Sequence, residues 1–173
     1  MRNFWVGIIV FFVIIFCFWF QLNILNLIPL FGIVANIGIV FVVSLGILCG
    51  QKIGVTIGIS YGLLMDILFG KTLGIYTFLL FLVGFFCGKI SKGFSKENKS
   101  SIMMIVAITT VAYEALSYFI FTLVYGYDLA LFSAIWTIVL ECIYNLFVAM
   151  LLFKPLSFLA EIINKGKRSY YLL

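Results

Sequence analysis

No charged residue occurs between Arg2 and Lys52, a run of 49 residues that no soluble core of ordinary size could bury. At about 20 residues per crossing of the hydrocarbon layer, that run holds two membrane spans. The rest of the chain keeps the same character. Of its 173 residues 65% are hydrophobic, against eleven Lys or Arg and six Asp or Glu. A polytopic all-α integral membrane protein is expected.

Interruptions of the apolar runs divide the chain into six spans at about 4–20, 31–49, 53–69, 73–88, 102–125 and 129–153. Bulky Phe16, Phe18, Trp19 and Phe20 stand where a signal peptidase needs small residues, so the first run is read as an uncleaved span. Gln51 with Lys52, Gly70 with Lys71, and Gly126 to Asp128 supply short turns. The segment KISKGFSKENKSS, residues 89–101, is the one long polar interior stretch. The six-helix domain covers 1–155, and 156–173 forms a short amphipathic and basic tail.

Charge orients the bundle. Arg2, Lys52, Lys89, Lys92, Lys96, Lys99, Lys154, Lys165, Lys167 and Arg168 collect on one side, and Lys71 stands alone on the other. Positive residues are retained in the cytoplasm, which puts both termini and the 89–101 loop there. The basic segments lack interleaved aromatics and adjoin spans, so they read as contacts for anionic lipid headgroups and imply no nucleic-acid partner.

Composition also removes most chemistry. There is no histidine, so the usual general base and zinc ligand are missing. Cys17, Cys49, Cys87 and Cys142 lie in apolar sequence without CxxC spacing, and indicate neither a disulfide framework nor a metal site. The GxGD pattern of intramembrane aspartyl proteases does not occur, nor does a P-loop or hydrolase elbow. No catalytic residue, cofactor or metal is expected.

From Gly46 to Gly74 a glycine recurs at nearly every fourth residue, with Asp66 taking one place in the rhythm. On a helix, Gly54, Gly58, Gly62 and Asp66 form a stripe drifting about 40° per step, along which another helix can come close. Asp66, Gly70 and Gly74 close the stripe near the outer end. Asp66 is expected either to anchor the hairpin, through Lys71 and Thr72, or to meet a partner or substrate.

Two further carboxyls lie near the expected midplane. Glu114 shares a face with Thr110, Ser117 and Tyr118, and Glu141 stands in steps of four with Ser133, Thr137 and Asn145. The two polar stripes can face each other across the last hairpin. With no Lys or Arg at that depth, the carboxyls are expected to share a proton. Either they are interhelical hydrogen-bonding glue, or they form a site awaiting a polar group from a partner helix or a ligand.

The segment from Gly54 to Tyr76, with spaced glycines, Asp66 and then Gly70-Lys-Thr-Leu-Gly74, resembles the rod shape-determining MreD family. Chain length, six-span layout and a basic tail are also similar to that family. A proline commonly precedes a polar residue at the start of the family's second span, where this chain has Ala35 before Asn36. The resemblance implies a non-enzymatic scaffold of the bacterial elongation machinery in the cytoplasmic membrane. Its implied partners are MreC directly, and MreB, RodA and a penicillin-binding transpeptidase in the same complex.

The resemblance further implies a fold similar to the substrate-binding subunits of energy-coupling-factor transporters, which makes a vitamin-type transport subunit the alternative. Those subunits carry small residues in steps of four on their first span. Here that span, FWVGIIVFFVIIFCFWF, has only Gly7 and Cys17.

Overall fold

The computed structural model describes residues 2–29, 31–70, 72–91, 99–126 and 131–168. They form α1 (Arg2–Asn23), a 3-10 turn (Leu25–Leu27), α2 (Ile37–Cys49), α3 (Gln51–Phe69), α4 (Ile75–Ile90), α5 (Lys99–Tyr125) and α6 (Leu131–Arg168). The described residues are all-helical. Three helical stretches, Gln51–Phe69, Lys99–Tyr125 and Phe132–Asn164, are long and apolar enough to cross a membrane. Gly7–Asn23, Ile37–Cys49 and Ile75–Ile90 are shorter apolar helices.

The bundle is built around α2. Its sequence is apolar on every side, and all 13 of its residues are buried, as expected of a helix with neighbours all round. Lipid-like surroundings are left to the outer helices, where Phe11, Phe12, Phe16, Ile108, Phe119, Trp136, Phe147 and Met150 point outward. An apolar exterior over a central helix whose one polar residue is Ser44 is the arrangement a bilayer favours.

The second helix is shorter than the expected 31–49. Residues 31–36 are not helical, and Asn36 stands as the N-cap of α2, its Oδ1 accepting from the Ile39 N–H at 3.4 Å. An asparagine side chain competes with the backbone for that N–H, which is why a helix begins rather than continues through it. At 1.5 Å per residue α2 covers only about 20 Å, some 10 Å less than a hydrocarbon core. The segment before it turns at Phe31 and Gly32, with φ +51° and +83°, and is extended at Asn36.

Between α2 and α3 the turn is a single residue. Gly50 has φ +89°, donates its N–H to Gly46 O at 2.9 Å and accepts from Gly54 N at 3.1 Å. Only glycine takes that backbone conformation without strain. The expected hairpin at Gln51 and Lys52 is therefore tighter than a loop.

The glycine stripe then joins α3 to α4. A Cβ at Gly54 would lie 2.7 Å from Gly84 O and 2.9 Å from Gly46 Cα, and one at Gly58 would run into the carbonyl of Leu80. Gly62 lies against Thr77 in the same way, and Gly84 and Gly88 of α4 answer with close approaches to Gly54 and Gln51. The two backbones touch along their length because glycines face from both sides. Gly70 and Gly74 sit outside this seam, at the C-cap of α3 and, with φ +109°, at the N-cap of α4.

The chain after Pro155 is not a separate amphipathic piece. α6 runs through Pro155 without ending, and Leu156, Leu159, Ala160 and Ile163 are buried. Asn164 donates Nδ2 to Leu48 O at 3.1 Å, tying α6 to the end of α2. At the same end, Lys99 lies 5.2 Å over the Phe153 ring and ties the start of α5 to α6.

Candidate functional site

Asp66 is 1% exposed near the C-terminal end of α3. Its carboxylate accepts the N–H groups of Tyr76 at 3.0 Å and Thr77 at 2.9 Å, and the hydroxyl of Thr77 as well. Those amides belong to the first turn of α4, where helical N–H groups have no partner within the helix and the macrodipole is positive. Asp66 is thus a cap supplied from the neighbouring helix. Of the turn residues expected to bond it, Lys71 lies outside the described residues. Thr72 instead pairs its hydroxyl with that of Tyr125 at 2.9 Å.

The polar residues of α5 and α6 meet at a second centre. Asn145 and Thr110 are both fully buried, and Asn145 Nδ2 donates to Thr110 Oγ1 at 3.2 Å. The other end of the same amide reaches across 109 residues of sequence, its Oδ1 accepting the backbone N–H of Asn36 at 2.7 Å. A single side chain therefore links α5, α6 and the start of α2. The peptide at Asn36 has left helical geometry inside the bundle, and Asn145 supplies the bond its N–H needs.

Above that node a cavity of about 430 Å³ opens, lined by polar groups from all sides. Glu114, Ser117 and Tyr118 come from α5, and Ser133, Thr137 and Glu141 from α6. The Glu114 and Glu141 side chains lie close to each other across the hairpin. Val34, Ala35 and Asn36 form another wall, with Gln21 of α1, Met65 of α3 and Tyr76 of α4. These are the C-terminal halves of α1, α3 and α5 and the N-terminal ends of α2, α4 and α6, so the cavity occupies one end of the bundle. It exists because α2 stops short.

Aromatic rings brace the same end. Tyr76 packs on Phe121 with centroids 5.6 Å apart, and Phe121 stacks on Tyr125 at 5.7 Å. Tyr61, fully buried on α3, donates its hydroxyl to Gln21 Oε1 at 2.7 Å and meets Phe18 edge-on at 5.5 Å. A side chain at Gly38 would collide with the Tyr61 ring. Tyr144 donates to Ile28 O at 2.8 Å, fixing the segment that leads into the cavity wall.

Tyr113 differs from these. It is 4% exposed, lines the cavity, and its hydroxyl lies near Asn36 without making a hydrogen bond of ordinary geometry.

Of the residues singled out from sequence, Glu114, Ser117, Thr137 and Glu141 line this cavity, and Thr110 and Asn145 lie in the hydrogen-bonded node. Gly54, Gly58 and Gly62 lie in the α3–α4 seam, with Asp66, Gly70 and Gly74 at its turn. Sequence reasoning noted Asn36 only at the start of the second span and gave no site role to it, Tyr113, Gln21 or Tyr76. Asn36 carried a usable signal, as a lone amide inside an apolar run; the tyrosines carried none, because aromatic residues are common in every span. Among the described residues no cluster of three or more Asp, Glu, Cys or His could hold a metal ion.

A family model described as rod shape-determining protein MreD matches residues 1–162. No curated protein and no solved structure matches the chain.

Proposed function

The chain belongs to the rod shape-determining protein MreD family, and on that premise we propose that it is a non-enzymatic membrane scaffold of the bacterial cell-elongation complex. Rod shape determination is the role that membership assigns. In the proposed arrangement six helices cross the cytoplasmic membrane with both termini inside, following the distribution of lysine and arginine. MreC is the direct partner, and MreB, RodA and a penicillin-binding transpeptidase join through the same complex.

The observation that supports a helix-face contact is a second hollow of about 430 Å³, between α4 and α5, lined almost wholly by apolar side chains. Leu82, Phe86, Ile90, Met104, Ile108 and Leu116 border it. Helix association in a bilayer depends on close packing, and a furrow between two helices offers more contact than a convex face. We assign the contact with MreC to this furrow. The glycine stripe would serve that contact indirectly, because it holds α4 against α3.

Detergent co-purification with MreC tests the assignment. Ile108→Trp, which fills the furrow, should lower recovery of the complex by about tenfold. Ile143→Trp, on an exposed part of α6 away from it, should leave recovery unchanged. Equal recovery with both variants would remove the furrow as the docking face.

A further inference from the structure

We propose that the cavity between α2, α5 and α6 is a binding site for a protonated amine. The inference is independent of the scaffold reading, which uses a different face of the bundle.

The chemistry of the walls selects the ligand. Glu114 and Glu141 present two carboxyls, and among the described residues neither Lys nor Arg lines the cavity to neutralise them. Two carboxyls alone would be satisfied by one another, so the decisive group is Tyr113. Tyr113 belongs to the cavity wall, and its hydroxyl is buried without a hydrogen bond of ordinary geometry. A buried hydroxyl left unpaired costs free energy that a bound polar group would recover.

An ammonium group fits this set better than its competitors. It carries three donors and no acceptor, matching two carboxyls and a hydroxyl oxygen. An anion would meet only like charge, and a neutral hydroxyl compound would leave the carboxyls without a countercharge. The Tyr76 and Phe121 rings, 5.6 Å apart on the wall and lip, offer faces to a cation or to the methylenes behind it. The volume of about 430 Å³ lies within the range of small-molecule sites and exceeds what one ammonium needs. An alkyl amine of several carbons can enter.

The amine could be free or the tip of a partner's lysine, and the chemistry is the same. The full chain in lipid nanodiscs, purified alone, is titrated with radiolabelled putrescine. Saturable binding is expected, with 1,4-butanediol failing to compete. Glu141→Gln and Glu114→Gln should each weaken binding by about tenfold or more, and Tyr113→Phe, which keeps the ring, by several-fold. Each variant is checked for unchanged thermal unfolding, so that lost binding is not lost fold. Repeating the titration on the chain co-purified with its membrane partners separates the two sources: unchanged binding identifies a free amine, and blocked binding a partner's lysine. Absence of saturable binding to the chain alone, equal competition by 1,4-butanediol, or unchanged binding in the double glutamine variant would each overturn the proposal.

Discussion

The carboxylate of Asp66 accepts the backbone N–H of Thr77 at 2.9 Å, so that the last turn of α3 caps the first turn of α4. The bond closes a hairpin whose two helices already touch backbone to backbone at Gly54, Gly58 and Gly62. Glycine packing brings the amides within reach, and the carboxylate sets the register at which they stop.

Asp66→Ala removes the acceptor for two buried amides and one hydroxyl. A loss of about 2–4 kcal/mol is expected, from the cap and from the desolvated donors left behind. Thr77→Val, which keeps both backbone bonds, should cost about 1 kcal/mol. Reversible unfolding in mixed micelles measures both, and an equal cost for the two variants would contradict the capping account.

Gly58→Ala puts a methyl into the Leu80 carbonyl and must part α3 from α4. It should destabilise by about 1–3 kcal/mol, as other overpacked sites do. Gly7→Ala is the matched control, because nothing lies within 4 Å of a Cβ there. The same unfolding measurement distinguishes a specific seam from a general intolerance of lost glycines.

Asn145 joins three elements, so its loss should exceed that of its partner on α5. Thr110→Ala is expected to cost about 0.6–1.7 kcal/mol, the range of interhelical hydrogen bonds in membranes. Asn145→Ala should cost about 1–3 kcal/mol more, because the Asn36 N–H is also orphaned. A double-mutant cycle of the two should show a coupling within the lower range. Coupling near zero would mean that the two side chains do not bond in the membrane.

The continuation of α6 past Pro155 depends on its grip on α2. Asn164→Ala removes the bond to Leu48 O and should raise amide exchange over residues 156–164, with about 0.5–1.5 kcal/mol less protection. Exchange in α3 should not change. If the 156–164 amides are already unprotected in the parent chain, the docked helix is not its solution state.

Much of this could be read before any coordinates. The glycines in steps of four on α3 predict a close neighbour because the spacing alone puts them on one face, although the answering Gly84 and Gly88 on α4 drew no attention. The two polar stripes of α5 and α6 were legible for the same reason. Less visible was the start of α2. From Phe31 to Cys49 the only polar residues are Asn36 and Ser44, and the lone amide of Asn36 is the one sign that the helix waits until Ile37. Likewise Pro155 signals a helix end in sequence, yet α6 continues through it, because Leu156, Leu159, Ala160 and Ile163 have a buried surface to pack on.

Sequence by itself determined that the chain is a bundle of apolar helices, because each segment must satisfy its own backbone in a bilayer and hydropathy is a local property. It determined too which faces carry glycine and which carry carboxyls, because helical periodicity is local. Tertiary structure alone decided that Asp66 reaches the amides of Tyr76 and Thr77, and that Asn145 reaches Asn36. Those choices depend on the rotation and depth of helices far apart in sequence. The cavity follows from them: with α2 beginning at Ile37, the space above it is left to Glu114, Glu141 and an unpaired Tyr113.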